Sequence, residues 1–325
     1  MTSKPPFISV IIAARNEAEH IVSCIESVYR CDHPCDRLEI IVVDHASTDA
    51  TKMLARTAGA TVVGLRSGRI GKVRNTGLQA AKGEFTAFVD ADCIVPPTWL
   101  TSAIRVLKQD LSVGAAGGPY LSPNNGTWVE IGLAPRQVIP GVVKSTMALA
   151  TGSFIARTSL LRKIGSFDES LISGEDDDIC NRIRERGFSI SWISDCHVVH
   201  WGYPKTWLGL IKKEIWHGSN HLEVRSAVDL SLLLTILFIA AVAATGVLIP
   251  IALMKPVAAT LSILALCVLM QLTPPALYAL KRVKQWPRDW YLLPCFAIVG
   301  YAYFLGHGIG VLGNGWRKLW RRRSH

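Results

Sequence analysis

Two stretches of this chain carry no formal charge over the length of a membrane span, and a third comes close. Leu230 to Met254 and Pro256 to Leu280 contain no Asp, Glu, Lys or Arg, and Tyr291 to Trp316 has His307 as its one ionisable group. Each is long enough as a helix to cross a hydrocarbon core of ~30 Å. Inside lipid the backbone must satisfy its own hydrogen bonds, so such segments are restricted to helices. Burial in a soluble core explains one segment of this kind, not three in succession. Up to Arg225 the chain has the mixed polarity and the length of a soluble domain with a full core.

Charge placement supports a membrane location. Of the formal +10, the segment from Lys281 to His325 holds nine cations and one acid, Asp289, a surplus of +8. These cations neighbour apolar segments and Trp286, Trp290, Trp316 and Trp320, a pattern that suits anionic headgroups rather than nucleic acid. Pro204 to Trp216 sets Trp207, Leu208, Leu210, Ile211, Ile215 and Trp216 against Lys205, Lys212 and Lys213, as in an interfacial amphipathic helix or one packed in a core. The first two spans, separated by Lys255, form a hairpin, and the positive-inside rule puts Lys281 to Arg288 in the cytosol. A third crossing would place Arg317 to Arg323 outside. Glycines at 300, 306, 308, 310, 313 and 315 suggest instead a broken, re-entrant path that returns the basic tail to the cytosol, with a true third crossing as the alternative.

The apolar run Ile8 to Ala14 is too short for a signal sequence and reads as a first strand. The eight cysteines contain no C-x-x-C pair, so reduced thiols are expected and the soluble part belongs on the cytosolic side. Along that part, strands are expected over Ile8–Ala13, Leu38–Val43, Thr61–Leu65, Phe85–Val89 and Val113–Ala116. Helical spacing covers Ala18–Val28, Asp49–Ala58, Val73–Ala81 and Pro97–Leu107. This alternation specifies an α/β fold with a mostly parallel sheet whose ligands bind beyond the carboxyl ends of the strands.

Acidic residues gather at those ends. Asn16 and Glu17 follow the first strand, Asp44 ends the second, and Asp90-Ala91-Asp92 closes Phe85 to Val89. At i, i+2 spacing in a strand both carboxylates point to one side. Their desolvation needs a compensator, a divalent cation holding a phosphorylated ligand, unless the strand end simply meets solvent. No G-x-G-x-x-G follows the first strand, and Gly68-Arg69-Ile70-Gly71-Lys72 lacks the Walker spacing and its Ser/Thr.

Ile11-Ile12-Ala13-Ala14-Arg15-Asn16-Glu17, Val43-Asp44-His45-Ala46-Ser47-Thr48-Asp49, Arg74-Asn75-x-Gly77 and Phe88-Val89-Asp90-Ala91-Asp92 occur in that order. Gly165-Ser166-Phe167-Asp168-Glu169, Gly174-Glu175-Asp176-Asp177-Asp178 and His200 follow. Over its first two thirds the chain thus resembles the family 2 glycosyltransferases of GT-A fold, a Rossmann-like, mostly parallel sheet. The resemblance implies a nucleotide-diphosphate sugar as donor and Mn²⁺ or Mg²⁺ as cofactor. It gives Asp44 the nucleobase, with Asn16 and Glu17 framing that pocket, Asp90 the ribose and metal, and Asp92 direct metal ligation, with His200 completing the metal site. Arg74 would neutralise the diphosphate, while Arg69 and Lys72 read as solvated helix-face charges. One departure concerns nucleobase choice: many relatives have Asp where this chain has His45.

Glu175 to Asp178 opens an amphipathic helical stretch, and acidic residues there suit the helix dipole. By resemblance Asp176 is the catalytic base, with Glu175 and Asp178 orienting it or holding the acceptor and Asp177 facing solvent. The implied reaction is a single inverting displacement onto a hydroxyl of a lipid-linked acceptor or growing cell-surface glycan. The Q-x-x-R-W sequence of processive synthases is absent, which favours transfer of one sugar over polymer synthesis. A metal-dependent nucleotidyltransferase and a non-catalytic membrane scaffold are the readings from other classes. The expected organisation is a catalytic domain over 1–203 in the cytoplasm and an amphipathic interfacial segment over 204–228. A membrane domain of two or three helices over 229–316, in the cell (inner) membrane, and a basic tail over 317–325 complete it.

Overall fold

The structure, a computed structural model, describes residues 4–224, 230–254, 257–285 and 287–323. Lys255 of the expected hairpin turn, Trp286, residues 225–229 and the last two residues of the basic tail lie outside the described residues. The chain forms two compact units, residues 1–123 with 136–202, and residues 124–135 with 203–325.

The first unit opens with β1 (Ile8–Ala14), α1 (Ile21–Tyr29), β2 (Leu38–His45), α2 (Thr51–Thr57) and β3 (Thr61–Leu65). It continues through α3 (Ile70–Ala80), β4 (Phe85–Asp90), β5 (Cys93–Ile94), α4 (Trp99–Gln109), β6 (Val113–Gly117) and β7 (Tyr120–Leu121). After Pro123 the chain makes α5 (Trp128–Leu133), which packs in the second unit, and rejoins the first at Arg136. There it adds β8 (Val143–Ser145), β9 (Phe154–Arg157), α6 (Thr158–Lys163), α7 (Glu175–Glu185), β10 (Ser189–Ile193) and β11 (Val198–His200).

Eight strands form a mixed sheet in the order β3-β2-β1-β4-β9-β6-β10-β8, parallel except at β9 and β8. Alternation along the strands feeds two cores. Ile8, Val10 and Ile12 point to the face covered by α1 and α4, whereas Ile11, Ile41, Val43 and Phe88 point to the face covered by α3, α6 and α7. Register aligns the acidic strand ends, because Ala14 pairs with Asp44 and Ala13 with Asp90. A second sheet, β5-β11-β7, brings His200 opposite Cys93 and Tyr120 beside Val198.

The five expected strands all form, and the helices differ at their starts. Helix α1 begins at Ile21 rather than Ala18, since Glu17 to His20 make a turn in which the Glu17 carbonyl accepts from His20 and Ile21. Helix α3 begins three residues before Val73, and a Cβ at its Gly71 would come within 2.6 Å of the Asp168 carbonyl. That close approach, rather than apolar periodicity, sets the first turn.

The second unit contains α5 with α8 (Trp207–Val224), α9 (Leu230–Ala252), α10 (Val257–Gln285) and α11 (Leu293–Arg323). Among the described residues, three helical segments here are long and apolar enough to cross a membrane: Leu232–Ala252, Val257–Gln285 and Asp289–Gly313, the last including part of the 3-10 turn before α11. The broken, re-entrant path is corrected, because α11 is one continuous helix. Several of its glycines are contact surfaces rather than breaks, while Gly313 has open space beside it. A Cβ at Gly306 would press on the Ile211 carbonyl and Glu214, one at Gly308 on Ile239, and one at Gly310 on the Ile215 carbonyl. Small residues of this kind let helix backbones approach closely. Helix α8 combines both expectations, with Leu210 buried in a cluster with Val129, Val299 and Ala302 while Leu208 and Trp216 remain exposed.

Candidate active site

Two loops at the carboxyl edge are bound to each other before any ligand is considered. The Asn16 amide N–H donates to Ser47 Oγ at 3.0 Å, and Asn16 Oδ1 accepts from the Thr48 amide at 2.9 Å. Glu17 and Ala18 donate their amides to Thr51 Oγ1 (2.7 Å) and Asp49 Oδ2 (3.1 Å). Asn16 and Ala46 hold φ of 57° and 52°, left-handed conformations that the reciprocal bonds stabilise. Asn16 is therefore committed to the loop pair, whereas Asp44 is buried with Oδ1 lacking a hydrogen-bond partner among the described residues. A buried carboxylate oxygen without a donor is costly, so the position suits a ligand N–H.

Asp90, Asp92, Cys93 and His200 each present an atom within 4.8 Å of the others. His200 Nε2 lies 3.3 Å from Asp92 Oδ2, and the Trp201 amide donates to the Asp92 carbonyl at 2.9 Å, which fixes β11 against this strand end. Burial acts to raise Asp92, but the hydrogen bond and charge of His200 outweigh it and hold the carboxyl below its usual range. Cys93 differs. Burial and the charges of Asp90 and Asp92 push its thiol well up, so it stays protonated and donates toward Asp92 Oδ1 at 3.8 Å. Two carboxylates with one imidazole fit a hard divalent cation such as Mn²⁺ or Mg²⁺. Burial, with Asp92, Asp49 and Asp90 adding to it and His200 opposing, pushes Glu17 up to about 7. A cation on the neighbouring carboxylates would reverse much of that shift.

The second acidic group is organised by Arg74, whose side chain is 7% exposed. Its guanidinium donates to Glu175 Oε1 at 2.5 Å and lies 3.6 Å from both Asp90 Oδ1 and Asp176 Oδ1. Sequence reading gave Arg74 the diphosphate; the structure surrounds it with carboxylates and makes it their counter-ion. Glu175 to Asp178 form the first turn of α7 behind Gly174, which sits at φ 81°. Asp178 pairs with Arg182 at 2.6 Å on its own helix. Burial foremost, with Glu175 and Asp90 adding and Arg74 and Thr151 opposing, raises the Asp176 carboxyl. Its side chain keeps 33% of its surface open, so solvent moderates the rise and an acceptor hydroxyl has access. Arg69 and Lys72 are exposed, as expected of helix-face charges.

Several site residues escaped sequence reading. Tyr120 donates its hydroxyl to Asp90 Oδ2 at 2.9 Å and stacks on His200 at 5.0 Å. Thr151 donates to Asp176 Oδ1 at 2.5 Å. A Cβ at Gly152 would collide with the Tyr120 hydroxyl and the Asp90 carboxylate, and one at Gly202 with Asp92. Asn75 of the Arg74-Asn75-x-Gly77 motif is architectural, exchanging hydrogen bonds with the Phe167 backbone at 2.9 Å and donating to Glu169 at 3.0 Å. Tyr120 lies in a Gly-, Pro- and Asn-rich stretch from Gly117 to Met147 that has no periodicity, and Thr151, Gly152 and Gly202 beyond it are single residues that gave no signal.

A family of sequences described as Glycosyl transferase family 2 matches residues 9–164. Glycosyltransferase AglE of Haloferax volcanii is 31% identical over 235 residues, covering 69% of this chain and 76% of AglE. Putative glycosyltransferase EpsH of Bacillus subtilis is 32% identical over 105 residues, covering 31% of this chain and 30% of EpsH. Among solved structures, the mannosyltransferase PcManGT from Pyrobaculum calidifontis, determined in complex with GDP-Man and Mn²⁺, matches with a TM-score of 0.62. That match is 22% identical and covers 97% of this chain and 89% of PcManGT. The chain belongs to glycosyl transferase family 2. It is a glycosyltransferase whose sheet has the GT-A fold, followed by helices able to cross a membrane.

Proposed function

We propose that this glycosyltransferase transfers one sugar, with inversion, from a nucleotide-diphosphate sugar to a hydroxyl of a lipid-linked or cell-surface glycan acceptor, in a reaction dependent on Mn²⁺ or Mg²⁺. The observation that carries this reading is the convergence of two acidic groups on one arginine. Asp90, of the cation-type group, and Asp176, the raised carboxyl, each lie 3.6 Å from Arg74. The proposed base and cation site thus approach different nitrogens of a single buried guanidinium. The GDP-Man and Mn²⁺ bound to PcManGT are consistent with such a donor and ion here.

In this account the unpartnered Asp44 oxygen accepts a nucleobase N–H, and Glu17 borders the same pocket. Asp92 and His200, with Asp90, would hold the divalent cation, which when bound would supply positive charge for the departing diphosphate. Arg74 keeps Glu175 and Asp90 in place, and Tyr120 fixes the second oxygen of Asp90. Asp176 accepts the acceptor's hydroxyl proton as the oxygen bonds to the anomeric carbon, and the sugar–phosphate bond breaks with its electron pair leaving on the nucleoside diphosphate. No covalent sugar intermediate arises. The catalytic unit faces the cytosol, and the second unit anchors it in the inner membrane.

The test is a screen of detergent-solubilised protein against UDP, GDP and TDP sugars for Mn²⁺-dependent release of nucleoside diphosphate. Release with one donor class, abolished in Asp92→Ala, is the expected result. Release of pyrophosphate, or of nothing in the presence of any donor and acceptor lipid, would contradict it.

A further inference from the structure

A cavity of about 550 Å³ opens within the second unit, and none of the catalytic residues lines it. One stripe of α10 supplies most of its wall: Leu277, Tyr278, Lys281, Arg282 and Gln285 recur at helical spacing on one face. Leu234 of α9 with Tyr303 and Phe304 of α11 complete it. The lining is graded along α10. Leu277, Leu234 and Phe304 give an apolar floor, and beyond them come two adjacent cations and an amide. No acidic residue is among the described lining residues.

The cationic end is built. The Arg282 guanidinium donates to the Tyr278 hydroxyl at 2.7 Å and lies 4.9 Å from that ring's centroid. Tyr278 in turn stacks on Tyr303 at 5.7 Å and meets Phe304 edge-on at 6.5 Å. A guanidinium held over an aromatic wall is positioned at low entropic cost, and its planar fork matches phosphate geometry. Lys281 and Arg282 are also the first charges on α10, after an uncharged stretch from Val257 to Leu280. They therefore mark where a span of this length leaves the hydrocarbon. Exposed Leu266, Leu269, Leu272 and Leu280 on the same helix require lipid rather than water around it.

We propose that this cavity binds an anionic membrane lipid, with the headgroup phosphate on Lys281 and Arg282 and the first part of the chain on Leu234, Leu277 and Phe304. Charge complementarity selects the anion, and the apolar floor selects an anion that carries a hydrocarbon chain. Gln285, one turn beyond Lys281, offers an amide to the headgroup.

The test uses the full-length protein in detergent, with native mass spectrometry after addition of phosphatidylglycerol or phosphatidylcholine. The wild type is expected to retain phosphatidylglycerol in preference. Lys281→Ala with Arg282→Ala is expected to lose that preference, by about fivefold per cation removed. Lys281→Glu, at an exposed position, provides a second variant that leaves the Arg282–Tyr278 contact intact and should also lower retention. Mn²⁺-dependent donor binding, measured in parallel, should be unchanged in all variants. Equal retention of both lipids by the wild type, or undiminished phosphatidylglycerol retention in the variants, would overturn the proposal. So would displacement of the lipid by inorganic phosphate at equal concentration, because the site would then belong to a soluble anion.

Discussion

Two acidic groups sit at one sheet edge, and they solve the repulsion of buried carboxylates in opposite ways. Asp90, Asp92 and His200 are drawn together by two short strands of a second sheet, and His200 holds Asp92 in its ionised form. Glu175 and Asp176 are delivered by the first turn of α7, where the counter-charge is already present as Arg74 and the half-buried Asp176 carboxyl is raised. The first group lacks a cation of its own and suits an added one. The second carries its cation within and has a carboxyl ready to take a proton. Environments that push neighbouring acids in opposite directions separate binding from acid–base roles.

The largest expected effect tests the proton-accepting side. Asp176→Asn preserves shape and removes the proposed base, so transfer should fall by about 10²–10⁴ in single-turnover assays. Arg74→Met tests the internal counter-ion, leaving Glu175 beside Asp176 without compensation at a cost of about 3–5 kcal/mol, readable by urea denaturation. The sign with pH is fixed: acids raised in the folded state bind protons more readily than in the unfolded chain. The variant should therefore regain stability as pH falls and lose it as pH rises.

Gly152→Val tests the junction between the groups by driving a side chain into Tyr120 and Asp90. A loss of about 1–3 kcal/mol is expected, together with weaker Mn²⁺-dependent donor binding, and unchanged metal dependence would separate Gly152 from the cation group. The smallest effect comes from Thr151→Val. The threonine hydroxyl favours the ionised form of Asp176, so its removal should raise that carboxyl further. The acid limb of the kcat/KM profile, on which activity falls as Asp176 protonates, should then move to higher pH by about one unit or less.

Five strands of the sheet were readable because they are apolar runs, two of them ended by acids, and the pairing register then brings Asp44 and Asp90 to one edge; β8, β9 and β10 were not expected. Asp92 and His200 were readable together only through the family pattern. Nothing in their separation along the chain announces that β11 pairs with β5. The carboxylate partners of Arg74 were not legible, since a cation's partners depend on which carboxylates fold around it. Tyr120, Thr151 and Gly152 belong to stretches without periodicity, and their importance lies in a hydroxyl's direction or an absent Cβ. The glycines of α11 show the same limit. Sequence credits glycine with local freedom, whereas here close helix packing uses its lack of a side chain.

The division of labour between the two acidic groups is tested most directly by calorimetric titration of a nucleotide-sugar donor with Mn²⁺ into the wild type, Asp92→Ala and Asp176→Asn. The account predicts that Asp176→Asn binds donor within about twofold of the wild type, a change below ~0.5 kcal/mol, and that Asp92→Ala loses the Mn²⁺-dependent heat. Loss of donor binding in Asp176→Asn, or Mn²⁺-dependent binding intact in Asp92→Ala, would contradict it.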